Sequence, residues 1–188
     1  MALRRRVLPD TNVCFPISLL DLILSCDEAQ LHEVLWTNDL LDELAHVWVR
    51  EGARSRESAD RICSNIRTAF ADQEIYRHEY EHLISAMSGN DPDDHVHAAA
   101  AASRAPITII TNNVRHFPAA PLSKLGVEVR RPDDYFVELF NEYPGALADV
   151  VSEMASSRRN PTMTRDAVRA ALSRSGLTQF AASGRATR

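Results

Sequence analysis

The sequence predicts an α/β protein: a parallel sheet flanked by helices, followed by a small helical C-terminal extension. Three observations carry this. Short β-branched segments alternate with stretches of helical periodicity, the pattern of a parallel sheet with helical crossovers. One segment, Ile107-Thr108-Ile109-Ile110-Thr111, is β-branched throughout and apolar enough for a central parallel strand. Beyond about Pro144 the strand signals stop and only short helical patterns remain.

Taken in order, Arg4-Arg5-Arg6 leads into a strand, Val7 to Asp10, that ends on an acid. Ile17, Leu19, Leu20, Leu22, Ile23 and Leu24 read as a buried helix, and Val34 to Thr37 as a second strand. Asn38 or Asp39 caps the next helix, in which Leu40, Leu41, Leu44, Val47 and Trp48 recur at helical spacing until Gly52 stops it. An amphipathic helix follows over about 55–70, with Ile62, Ile66 and Phe70 on one face. Ile75-Tyr76 reads as a brief strand ahead of the segment Tyr80 to Met87. Asp91-Pro92-Asp93-Asp94 forms a turn and a helix start, and Val96 through Ala102 continues as an alanine-rich helix able to pack closely on a sheet. Pro106 ends it. After the Ile107–Thr111 strand come a helical turn near Val114 to Phe117 and a last strand, Val127 to Val129. Three short helices are expected at 147–154, 164–172 and 177–181, then a polar tail.

The 188 residues fit one domain of ordinary size, over 1–143, with an appendage over 144–188. A chain of this length buries roughly 70% of its unfolded surface, so it needs no disulfide or structural metal for stability. Hydrophobic residues make up 45% and charged residues 25%, the balance of a folded globular protein. The net charge of -5 argues against a general cationic coat for polyanions. That charge is unevenly spread. Residues 144–188 hold seven Arg against three acids, whereas 1–143 carry a net -9. Such asymmetry can mark a nucleic-acid or partner contact, although a solvated helical cap would account for it as well. Cys14, Cys26 and Cys63 are odd in number and irregularly spaced, as in a reduced cytoplasmic protein. The apolar stretch Phe15 to Leu24 is interrupted by Asp21 and is too short to span a bilayer. The expectation is a soluble, cytoplasmic protein with no membrane partner.

Sites in open parallel sheets form at the carboxyl ends of the strands. Asp10 ends the first strand and is followed by Thr11-Asn12, whose hydroxyl and amide suit the pinning of a carboxylate. Thr111-Asn112-Asn113 ends the central strand in the same way. Asp91, Asp93 and Asp94 sit at a helix start just before that strand, and Glu43 lies one turn into a helix that can approach the same edge. Any one of these acids could simply cap a helix. Together they would repel one another unless a cation lay between them. Oxygen ligands without cysteine favour Mg²⁺ or Mn²⁺ over zinc.

Four motifs in order, Val-Leu-Pro-Asp10-Thr11-Asn12, Leu40-Leu41-Asp42-Glu43-Leu44, Asp91-Pro-Asp93-Asp94-His-Val-His-Ala-Ala-Ala and Ile109-Ile110-Thr111-Asn112-Asn113-Val-Arg115-His-Phe117-Pro, resemble the PIN domain. The match is strongest to the VapC-type toxins of bacterial toxin–antitoxin pairs and covers about residues 4–137. The resemblance implies a PIN-like, Rossmann-like sheet and metal-dependent endoribonuclease activity. Asp10, Glu43 and Asp94 would fill the three acidic positions that hold one or two Mg²⁺ ions, with Thr111 and Asn12 as supports. Asp94 is placed ahead of Asp93 because Ala98-Ala99 then falls in the family's register. The fourth position, often Asp in the family, is Asn113 here. An amide oxygen brings no charge, so a second metal would bind more weakly unless Asp91 or Asp93 compensates. Cleavage by water would leave 5′-phosphate and 3′-hydroxyl ends, with Arg115 as a phosphate contact. A small cognate antitoxin and a homodimer are further implications. The neutral Asn113 also leaves open a non-catalytic PIN scaffold that binds RNA or protein.

One other motif has its own chemistry. His78-Glu79-Tyr80-Glu81-His82 satisfies H-E-x-x-H, which on a helix is the zinc-peptidase arrangement. Charged Arg77 and Glu81 flank it and no third ligand presents itself, so a polar helix face with two ordinary histidines is the stronger expectation. His95 and His97, two apart on a helix, do not share a face and make a poor metal pair.

Overall fold

The structure, a computed structural model, describes residues 4–89, 91–157 and 163–183. Four strands, β1 (Arg6–Pro9), β2 (Glu33–Val34), β3 (Ile107–Ile110) and β4 (Val127–Arg130), form one sheet in the order β2-β1-β3-β4. Every neighbouring pair is parallel, with Leu8 opposite Ile109 and Ile109 opposite Val129. Parallel strands need crossovers, and helices supply them. Helices α1 (Thr11–Cys14) and α2 (Ile17–Glu28) join β1 to β2. Helices α3 (Asn38–Arg50), α4 (Arg56–Ala69), α5 (Arg77–Tyr80) and α6 (Asp94–Ser103) lie between β2 and β3. Helix α7 (Ala119–Lys124) leads into β4, and α8 (Pro132–Glu142), α9 (Pro144–Ser157), α10 (Arg165–Arg174) and α11 (Thr178–Ser183) complete the described chain. The predicted α/β class, a parallel sheet flanked by helices, is the observed one.

Hydrophobic burial selects these elements. β1 and β3 are buried over most of their length, as inner strands of a covered sheet must be. Ala98 to Ala101 of α6 are buried, and their small side chains let this helix lie close against β3. On α3, Leu40, Leu41, Leu44 and Trp48 form the buried stripe. Trp48 Nε1 donates to the Phe15 carbonyl at 2.8 Å, fixing α3 against the α1–α2 junction.

Three local expectations need correction. The N-cap of α3 is Thr37, not Asn38 or Asp39: its backbone is extended and its hydroxyl accepts from Leu40 N at 3.0 Å. Ile75-Tyr76 is not a strand, because only an isolated parallel bridge joins Trp36 and Glu74. Two helices, α7 and α8, have no counterpart in the sequence-based expectation. Arg131-Pro132-Asp133-Asp134 has turn composition, yet Pro in the first turn followed by acids also starts a helix. Beyond these corrections, the helices of the C-terminal extension share the core of the sheet. Leu147, Val150, Val151, Met154, Leu172 and Phe180 belong to the same buried cluster as the strands. α9 and α10 pack on α2, and α11 packs on α8. The polar tail after Ser183 and Arg158-Arg159 lie outside the described residues. Among the described residues no helix is long and apolar enough to cross a membrane.

Candidate active site

β1 and β3 stop together, so the residues that follow them emerge at one edge. Asp10 N donates to the Ile110 carbonyl at 2.9 Å, and Thr111 N donates to the Arg130 carbonyl at 3.0 Å, extending the sheet by one residue on each strand. Asp10 and Thr111 are thereby adjacent and buried. The Thr111 hydroxyl donates to Asp10 Oδ2 at 2.6 Å, and the Asn12 amide donates to the same oxygen. Thr111 Oγ1 in turn accepts from Asn113 N at 2.9 Å, while Asn12 Oδ1 accepts from Asn112 N at 3.0 Å. The two strand ends are stitched into one polar turn, and the second oxygen of Asp10, Oδ1, is left towards His97 Nε2.

Glu43 arrives from the second turn of α3. Its Oε2 accepts from the Thr11 hydroxyl at 2.6 Å. Thr11 thus orients Glu43, while Asn12 and Thr111 orient Asp10. Asp94 opens α6, and its Oδ2 lies 2.7 Å from His116 Nδ1. Asp91 Oδ2 is 3.9 Å from the same nitrogen. Asp10, Asn12, Glu43, Asp91, Asp93, Asp94, Asn113 and His116 line a single cleft of about 500 Å³. Arg50, from the last turn of α3, is its one arginine. Arg115 is exposed on the following turn and does not line the cleft.

The electrostatics are those of a crowded acidic site. Burial raises the Asp94 carboxyl above the usual range; contact with His116 opposes this, and the charges of Asp10 and Asp91 add to it. His97 is buried, with Nε2 3.7 Å from both Asp10 Oδ1 and Glu43 Oε2. Neither of its ring nitrogens has a hydrogen-bond partner. Burial disfavours a charged imidazole there, but Glu43, Asp10 and Asp94 outweigh it and hold His97 above its ordinary value. His97 in turn holds Glu43 below the usual glutamate range, against partial burial and with help from Thr11. Carboxylates gathered in a part-buried cleft, one of them reluctant to ionise, form a donor set that a divalent cation would stabilise. Asp91, Asp94 and His116 each bring a ligand atom within 4.8 Å of the others.

The sequence did not single out His97, His116, Thr11 as the partner of Glu43, or Arg50. For His116 a signal existed: a histidine three residues after Asn113, in a turn that had to close over the acids. For His97 there was none, since helical spacing separates it from His95 without saying which acids it meets. The H-E-x-x-H motif is spent structurally. The α-helix ends at Tyr80, and Glu79 accepts from Tyr76 N at 2.9 Å and from Arg104 Nη2 at 2.8 Å. His78 stacks on Tyr76.

A parallel sheet of this order, with acids from three separate segments gathered at the carboxyl ends of its inner strands, defines a PIN-like α/β protein. The VapC50 C-terminal domain family model matches residues 132–186. A curated protein of Mycobacterium tuberculosis named "Putative ribonuclease VapC50" is 31% identical over 138 residues, covering 73% of this chain and 77% of that protein. No solved structure matches. The chain belongs to the VapC family of PIN-type ribonucleases.

Proposed function

We propose that this protein is a Mg²⁺-dependent endoribonuclease, able to use Mn²⁺, and the toxin of a type II toxin–antitoxin pair. The observation that supports the reading most is the convergence of Asp10, Glu43 and Asp94 on one cleft. In this reading those three hold the metal, with Asp91 and the Asn113 amide oxygen as further ligands. Such an ion lowers the pKa of water and neutralises charge on the phosphoryl oxygens. Thr111 and Asn12 keep Asp10 in one orientation, Thr11 does the same for Glu43, and both arrive preorganised. Hydrolysis in line leaves 5′-phosphate and 3′-hydroxyl ends. Arg115, outside the cleft, contacts phosphate along the RNA. We assign the chemistry to residues 1–143 and treat 144–188 as a helical extension, some of whose arginines meet the same backbone. A small antitoxin covers the acidic cleft, the protein is a homodimer, and it works in the cytoplasm.

The test is cleavage of total cellular RNA by the antitoxin-free chain with Mg²⁺ or Mn²⁺. Asp10→Asn should abolish cleavage, and His78→Ala should leave it intact. A wild type that binds RNA without cutting it would instead favour a non-catalytic scaffold, the reading that the neutral Asn113 supports. Loss in His78→Ala alone would return the zinc-peptidase motif to consideration.

A further inference from the structure

We propose that Phe15, Arg50 and Glu51 form a nucleobase subsite beside the acids of the cleft, one that takes an unpaired guanine next to the scissile phosphate. This rests on the nuclease reading above and names the part of the RNA that the same cleft would recognise.

The subsite lies on a wall of the cleft that the metal candidates do not use. Glu43, Val47, Arg50 and Glu51 all line the cleft, since residues three and four apart on α3 share one face. At 1.5 Å per residue, Arg50 and Glu51 stand about 10–12 Å along the helix axis from Glu43. That places them past a phosphate held by the acids and level with the base attached to it. Phe15 and Val47 give this wall an apolar surface, in a cleft otherwise lined by polar and charged side chains. Both are half-buried. A divalent cation makes no use of an open aromatic ring, whereas the flat face of an unstacked base does. The ring is also well anchored. Phe15 N donates to the Thr11 carbonyl at 2.9 Å, and the Phe15 carbonyl accepts from Trp48 Nε1 at 2.8 Å. Asp10 and Thr11 belong to the same turn, so the platform and the carboxylates that Asp10 and Glu43 present are fixed relative to one another.

Arg50 and Glu51 select the base. Arg50 Nε donates to Glu51 Oε1 at 2.9 Å, which sets donors and an acceptor side by side. Among the described residues, the two terminal nitrogens of Arg50 and Oε2 of Glu51 have no hydrogen-bond partner. The two side chains are 60% and 52% exposed, open to a ligand. Guanine is the base that places an acceptor, O6, beside two donors, N1–H and N2–H. A guanidinium fits its O6 and N7, and a carboxylate fits the two donors.

Binding of short single-stranded RNAs to the full, antitoxin-free chain bearing Asp10→Asn tests this without cleavage. Fluorescence anisotropy compares oligouridine with the same strand carrying one adenosine, cytidine or guanosine. Guanosine should tighten binding at least fivefold, and more than either other base. Phe15→Leu keeps the apolar bulk and removes the ring; it should weaken the guanosine strand by about 5- to 100-fold, the cost of losing one stacked base. Phe15→Tyr should not. Arg50→Gln should remove the preference for guanosine, whereas loss of a plain phosphate contact would weaken every strand equally. Glu51→Gln removes a negative charge, so it should tighten oligouridine while loosening the guanosine strand, a pair of opposite signs that surface charge alone does not produce. Circular dichroism should be unchanged in all four variants. Absence of a guanosine preference, a stronger preference for another base, a preference that survives Arg50→Gln, or full affinity in Phe15→Leu overturns the proposal. RNA cleavage by the wild type at equal rates beside all four bases would sink the subsite alone, and guanosine-selective binding with no cleavage by the wild type would sink the nuclease reading alone.

Discussion

Thr111 is completely buried, and its hydroxyl serves three neighbours at once, donating to Asp10 and accepting from Asn113 N and the Asn12 amide. Thr111→Val keeps the shape and removes the oxygen. It should lower divalent-metal affinity by roughly 10- to 100-fold, the usual cost of losing an outer-shell partner, as read by calorimetric titration of Mn²⁺. His97 gives a pH signature of the metal-free protein. Its folded value is raised, so its contribution to stability is full below the ordinary histidine value of 6.5 and is lost as pH rises through the folded value. Glu43 has the opposite sign: its contribution is present above its ordinary 4.5 and is lost as pH falls through its depressed value. Chelated protein should therefore be most resistant to urea between those two limits. In His97→Gln the decline above 6.5 should disappear; an unchanged urea midpoint profile would show that His97 is not charged in the fold.

At the scale of elements, α3 matters because it carries Glu43. Thr37→Ala removes its N-cap and should cost about 1 kcal/mol in urea unfolding. Asp133, in the first turn of α8, accepts from the Thr178 hydroxyl and from Gln179 N and Phe180 N, capping α11 from another helix. Asp133→Ala should loosen α11 first, raising amide exchange at 178–183 ahead of the sheet. The contrast between these elements also shows what the sequence could disclose. β3 was legible because a β-branched run has few other readings, and α3 because its apolar spacing is long and regular. α8 was not: Pro132-Asp133-Asp134 marks a turn or a helix start with the same letters, and only burial of Tyr135, Phe136 and Leu139 decides between them. In the cleft, acids at strand ends could be located from chain order. Their partners could not, because His116 meets Asp94 across a loop whose closure depends on Gly89.

Across the whole molecule, the sheet and the last three helices share one core, which changes how the tail must be tested. Removing everything after Tyr143 would strip Leu147, Val150, Met154, Leu172 and Phe180 from α2 and α8, so insoluble protein is the expected outcome. Even Phe180→Ala, which takes one ring away from Phe136 and Phe140, should cost about 3–5 kcal/mol in denaturant unfolding. Replacing exposed Arg165 and Arg174 with Gln leaves the core whole. If these arginines meet RNA backbone, the slope of affinity against salt should fall by about one for each phosphate no longer neutralised. The packing of α9 and α10 on α2 has one more consequence, in time. α2 leaves the ribosome more than a hundred residues ahead of the helices that cover it. At roughly 5–20 residues per second, the apolar face of α2 waits on the order of ten seconds for them. The framework behind Asp10 closes only once α9 and α10 have emerged, and a nascent chain carries every acid of the cleft well before it can hold them still.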